Sequence, residues 1–132
     1  VRGSTNTLTT TGINNVYERI VTCTHSQATT LVAFNTNSYG AVVQLDKEDV
    51  RYIRITNLNA TISVEIAVVG AATLYQITLK AGQSHILGAA DNIMLAEADT
   101  TPSYGTMAAL QNISVTPIGT TNVDLEVFVA SV

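Results

Sequence analysis

The feature that most constrains this chain is a strict two-residue alternation of apolar and polar side chains. In Thr61-Ile62-Ser63-Val64-Glu65-Ile66-Ala67-Val68, the residues Ile62, Val64, Ile66 and Val68 fall on one side and Thr61, Ser63 and Glu65 on the other. A helix would scatter those four aliphatics around its circumference, whereas a strand gathers them on one face. Val123-Asp124-Leu125-Glu126-Val127 repeats the pattern and runs on into Val127-Phe128-Val129. Tyr75, Ile77 and Leu79 form a third inward row. Such rows need an opposing apolar layer, so the chain must stack sheet on sheet.

Further strands are expected near Val16–Thr24, Ala28–Phe34, Ala41–Leu45, Val50–Asn57, Ser84–Leu87, Ile93–Ala98 and Asn112–Ile118. Between them lie the turn-forming stretches Asn35-Thr36-Asn37-Ser38, Asp46-Lys47-Glu48-Asp49, Asn57-Leu58-Asn59-Ala60, Ala81-Gly82-Gln83 and Gly119-Thr120-Thr121-Asn122. Roughly 8–10 short antiparallel strands with such punctuation predict an all-β fold, a β-sandwich or jelly roll. In the irregular stretch Thr100–Gln111, Met107-Ala108-Ala109-Leu110 is compatible with one helical turn. No internal repeat is apparent. With 132 residues the chain holds one such body, residues 16–132. Residues 1–15, rich in Thr, Asn and Gly, have almost nothing to bury and are expected to form an extended N-terminal arm.

Composition narrows the function. Apolar residues make up 46% of the chain and charged residues 12%, which favours collapse over disorder. Six Lys and Arg against ten Asp and Glu leave a net charge of -4. That balance cannot build the positive stripe that displaces counterions from nucleic acid, so no nucleic-acid partner is expected. No apolar run approaches the roughly 18 residues of a membrane span, and no signal-peptide core is seen near Val1. The single cysteine, Cys23, cannot close an intrachain disulfide.

Chemistry-bearing residues are few. Cys23 lies in Arg19-Ile20-Val21-Thr22-Cys23-Thr24 with His25 two positions on, so a Cys/His dyad is conceivable, but a buried structural cysteine is the simpler reading. His25 and His85 lack further ligands at a metal-binding spacing. Asp46, Glu48 and Asp49 resemble a charged turn more than a calcium loop, and Asp91, Glu97 and Asp99 form a second acidic patch of the same kind. Trp is absent, which weakens sugar stacking, although Tyr17, Tyr39, Tyr52, Tyr75 and Tyr104 remain. Asn59-Ala60-Thr61 and Asn112-Ile113-Ser114 match a glycosylation sequon, as chance allows in so Asn- and Thr-rich a chain. Neither a nucleophile elbow nor a phosphate-binding glycine loop occurs. No catalytic, cofactor-binding or metal-binding residue is assigned, no cofactor is expected, and the chain reads as a non-enzyme. Neutral, Lys-poor strand surfaces suit a protein covered by copies of itself or by a lattice.

Arg51-Tyr52-Ile53-Arg54-Ile55-Thr56-Asn57-Leu58-Asn59, then Val64-Glu65-Ile66, then Leu79-Lys80-Ala81-Gly82-Gln83-Ser84-His85-Ile86-Leu87 resemble small virion structural proteins of tailed bacteriophages, particularly cyanophage-like ones. The resemblance covers about a third of the chain and rests on strand and turn residues. It implies a non-enzymatic virion protein, foremost a capsid cement or decoration protein. Such a protein would be a homo-oligomer, a trimer above all, bound to the major capsid protein or another virion protein at the capsid surface. The alternative is a tail, fibre or receptor- or carbohydrate-binding β-sandwich module.

Overall fold

The computed structural model describes residues 11–35, 44–71, 74–88, 93–94 and 108–132. Among the described residues there are ten strands: β1 (Asn15–Cys23), β2 (Thr29–Asn35), β3 (Gln44–Asp46), β4 (Val50–Asn57), β5 (Val64–Gly70), β6 (Leu74–Leu79), β7 (Ser84–Leu87), β8 (Ile93–Met94), β9 (Ala108–Pro117) and β10 (Val123–Ser131). They build a four-stranded sheet, β1-β10-β4-β7, and a six-stranded sheet, β3-β2-β9-β5-β6 with β8 attached to β9. All pairings are antiparallel except β2 with β3, which is parallel from Ala33↔Gln44 to Asn35↔Asp46.

Setting aside the short β3 and β8, the remaining eight strands pair in nested order. The first lies beside the last (β1 with β10), the second beside the next to last (β2 with β9), β4 beside β7 and β5 beside β6. A long hairpin folded over on itself gives this arrangement, and the two-sheet architecture is a jelly roll. β1 runs the length of β10 in unbroken register, from Asn15↔Ser131 to Cys23↔Val123, so strands from the two ends of the chain lie side by side.

The core follows the alternation. Val64, Ile66 and Val68 of β5 face Ile53 and Ile55 of β4's sheet across the sandwich, with Ile113 and Val115 of β9 and Val123, Leu125, Val127 and Val129 of β10; all are buried. Each such side chain contributes about 1.5–3 kcal/mol by leaving water. Three interruptions of register adjust the inward rows, one of them between Val69 and Gly70 on β5. Another separates Ala130 from Ser131 opposite Tyr52 and Val50, and the last separates Thr30 from Val32 on β2. At the β2 shift, Leu31 and Val32 are both buried although adjacent in sequence, as an extra residue in a strand allows.

Several expectations are adjusted. Ile62 packs against the core as its spacing suggests, but β5 begins only at Val64. The reason is local: the Asn59 side-chain oxygen accepts the N–H groups of Thr61 (2.9 Å) and Ile62 (2.8 Å), holding the segment in a turn. The helical turn expected at Met107–Leu110 is not formed where it is described: Ala108, Ala109 and Leu110 belong to β9, pairing with β8 and β5. Long-range pairing overrides the local helix preference of alanine there. Of the expected arm, residues 1–10 lie outside the described residues. Its end is already part of the sheet, since Asn14 N–H donates to the Ser131 carbonyl (3.0 Å) and Asn15 pairs with Ser131. The turn expected at Asn35–Ser38 and most of the strand expected at Ala41–Leu45 also lie outside the described residues.

Candidate functional site

The outward face of the four-stranded sheet is built by the even-numbered residues of β1 and their cross-strand neighbours. Val16 lies beside Ala130 and Tyr52. Glu18 lies beside Phe128, Arg54 and Ile86, and Ile20 beside Glu126, Thr56 and Ser84. Thr22 lies beside Asp124. Strand alternation dictates this set, because the odd-numbered partners are committed to the core.

The two ends of the face differ. At one end hydroxyls bond along the sheet: Thr22 Oγ1 donates to Asp124 Oδ1 (2.6 Å), and the Thr56 and Ser84 hydroxyls lie 2.8 Å apart. Elsewhere on the face, apolar groups meet water. Val16 is 56% exposed, Ile20 62% and Ile86 58%, and half-buried Tyr52 and Phe128 meet edge to face with centroids 6.1 Å apart. Between them Arg54 Nη2 donates to Glu126 Oε1 at 2.5 Å, and its guanidinium lies 5.3 Å from the Phe128 ring centroid. The bond to Glu126 pushes the Arg54 pKa further up from an already high value. Glu18, Asp124 and Glu126 leave this face acidic against the single Arg54. A face of this kind offers shape, a few aliphatics and one stacked ion pair.

The six-stranded sheet presents a shallow dish of about 160 Å³, lined by Ala28, Glu65, Ala67, Gln76, Ser114, Val115 and Thr116. Small side chains at Ala67 and Ser114 create the hollow, and Glu65, Gln76, Ser114 and Thr116 supply hydrogen-bonding groups to it.

The residues singled out from the sequence do not converge. Cys23 is fully buried, and its sulfur lies 3.8 Å from the Val21 carbonyl. Burial first, and the nearby Asp124 second, push its thiol up to about 11, the reverse of what a nucleophile requires. His25 instead follows the end of β1. Its N–H donates to Asn122 Oδ1 (3.0 Å) and its Nδ1 lies 2.9 Å from Ser26 Oγ. His85, on β7, sits at the opposite edge of the sheet from β1, three strand spacings or about 14 Å away. Its Nε2 lies 3.4 Å from Tyr75 Oη on β6, and desolvation lowers its pKa below the ordinary value. Asp46 accepts the Glu48 N–H (3.0 Å), and the Arg51 guanidinium donates to the Glu48 carbonyl (2.6 Å), so this acidic stretch is a self-bonded turn. Among the described residues no group of three His, Cys, Asp or Glu is placed to hold a metal ion. Asp91, Glu97, Asp99, Tyr39 and Tyr104 lie outside the described residues. The other tyrosines form no shared patch: Tyr17 and Tyr75 pack against the core from β1 and β6, while Tyr52 is on the outer face of β4.

Sequence reasoning missed the role of Asn57. It reads as a turn opener, but the side chain is fully buried. Its Nδ2 donates to the carbonyls of Ile62 (2.8 Å) and Leu79 (3.4 Å), and its Oδ1 accepts the Asn59 N–H (3.0 Å). Its backbone takes the Gln83 carbonyl (2.9 Å) and the Gly82 N–H (3.1 Å). One residue thereby ties the end of β4 to the loop before β5 and to the β6–β7 turn. The available signal was an Asn closing an alternating apolar strand on its inward phase.

No family model and no curated protein matches the sequence. A chain from the disulfide-linked pili of Bacillus endospore appendages is similar to this one with a TM-score of 0.46 and 9% identity, over 98% of this chain and 99% of that one. A likeness of that degree says nothing of what this chain does.

Proposed function

We propose that this protein is a non-enzymatic structural component of a phage virion, a capsid cement or decoration protein that binds the assembled head through its sheet surfaces. The observation that carries the reading is the outer face of the four-stranded sheet, where three aliphatic side chains are each more than half exposed beside a stacked ion pair. Burial of that face would stabilise an assembled shell by mass action, since only the assembled state offers the binding surface. The resemblance of the β4 and β6–β7 segments to small virion proteins supports it, and the chain is expected to act as a homo-oligomer. The test is to look for this chain by mass spectrometry in gradient-purified particles, and to ask whether the added protein cosediments with heads that lack it. Saturable binding to heads is expected. Absence from particles together with no cosedimentation would overturn the reading.

A second reading, a receptor- or carbohydrate-binding module of a tail or fibre, is favoured by the dish at Glu65, Gln76, Ser114 and Thr116. Its carboxylate, amide and hydroxyls are groups able to hydrogen-bond sugar hydroxyls. A glycan array without hits would remove it.

A further inference from the structure

β1 is an edge strand of unusual regularity. Among the described residues it pairs with β10 alone, over its full length and without a bulge. It carries no proline and no lysine, and its charges are confined to Glu18 on the outer face and Arg19 on the inward phase. It also overhangs the opposing sheet. Of its inward residues, Tyr17 and Val21 are only half-buried and Arg19 is exposed, while Val16 and Ile20 stand exposed on the outer face.

We propose that β1 is an interaction surface for a second copy of this chain, pairing antiparallel with the partner's β1 across a two-fold axis at Ile20 to make one continuous eight-stranded sheet.

The strand can meet its own copy in antiparallel pairing, and charge selects the register. A two-fold axis normal to the sheet keeps the faces matched, so it passes through a residue of the strand. An axis at Arg19 sets two guanidiniums opposite one another, and one at Glu18 sets two carboxylates opposite. Axes nearer the strand ends, at Tyr17 or Val21, shorten the overlap. At Ile20 the register is self-complementary. Ile20 meets the partner's Ile20, Glu18 meets the partner's Thr22, Arg19 meets the partner's Val21, Tyr17 meets the partner's Cys23 and Val16 meets the partner's Thr24. No like charges stand directly opposite. The pairing covers Tyr17, Val21 and Ile20, and it satisfies a row of backbone groups that have no strand partner among the described residues. A trimer needs two different patches on each protomer, whereas this edge is complementary to itself. The inference stands apart from the virion reading, because the pairing holds or fails wherever the protein works.

The test uses the full chain. Sedimentation or light scattering is expected to give twice the chain mass. Ile20→Lys opposes two ammonium groups on the axis and is expected to raise the dimer dissociation constant on the order of tenfold or more. Its side chain points to solvent in the monomer, so circular dichroism should be unchanged. Ile86→Lys, on the same face but at the far edge, is expected to leave the mass at two copies. Should Ile20→Lys fail to fold, Ile20→Cys oxidised with diamide decides the matter. Opposed strand positions lie within disulfide reach, so a covalent dimer is expected, and none from Ile86→Cys. A monomer at every concentration, a dimer indifferent to Ile20→Lys, or equal cross-linking at both positions would overturn the proposal.

Discussion

At the scale of single residues, the two most informative positions are polar or reactive groups placed in the core. Asn57 uses both ends of its amide, and a buried amide deprived of partners strands the carbonyls and N–H it satisfied. Asn57→Leu is therefore expected to destabilise the fold by about 2–4 kcal/mol, read as a lower urea midpoint with an unchanged slope. Asn57→Asp should do no better, since a carboxylate cannot donate to the Ile62 carbonyl and brings a charge into the core. Cys23 behaves oppositely. With its pKa pushed up to about 11, it stays a neutral thiol throughout the physiological range. Iodoacetamide at pH 8 is expected to leave the native protein unmodified and to label it rapidly in denaturant; rapid native labelling would show that the strand opens. Because the folded state holds this proton more tightly than the unfolded chain, Cys23 contributes stability below pH 9, and that contribution is lost as pH rises toward 11.

At the scale of elements, β7 is the least secured strand of its sheet. It has four residues, pairs with β4 alone among the described residues, and closes the sandwich through the His85–Tyr75 contact with β6. The imidazole faces Tyr75 across the gap and is flanked by Ile55 on β4, so burial disfavours its cation. The sign follows. The unfolded chain takes up the proton near pH 6.5 and the folded chain only below that, so stability falls as pH drops beneath 6.5. His85→Gln is expected to flatten the decline in urea midpoint between pH 7 and pH 5, and an unaltered slope would place the acid sensitivity elsewhere. The turn leading into β7 was legible beforehand. Gln83 N–H donates to the Lys80 carbonyl (3.2 Å) and Gly82 has φ of 72°, as Ala81-Gly82-Gln83 implied. The start of β9 was not, because Ala108 and Ala109 suit a helix locally and become strand only beside partners distant in sequence.

At the scale of the whole molecule, the jelly roll joins residues that are far apart along the chain. β1 and β10 must meet before the four-stranded sheet exists, and β2 must find β9. Each closure costs loop entropy before any contact repays it. Refolding after denaturant dilution is expected to take milliseconds to seconds, the range of two-state sandwiches rich in non-local pairing. A microsecond relaxation in stopped-flow or temperature-jump fluorescence would contradict the nested topology.

The residue pattern alone was enough for an all-β sandwich, for the boundaries of β4 and β7, and for the inward rows of β5, β6 and β10, because a strand's two faces repeat every second residue and burial selects one of them. Which strands become neighbours, that β2 and β3 run parallel, that Asn57 is a buried hub, and that His25 and His85 end on opposite edges were decided by the tertiary structure. The physical reason is that alternation specifies which face of a strand is buried but not against what, and only closure of the sandwich chooses the partner.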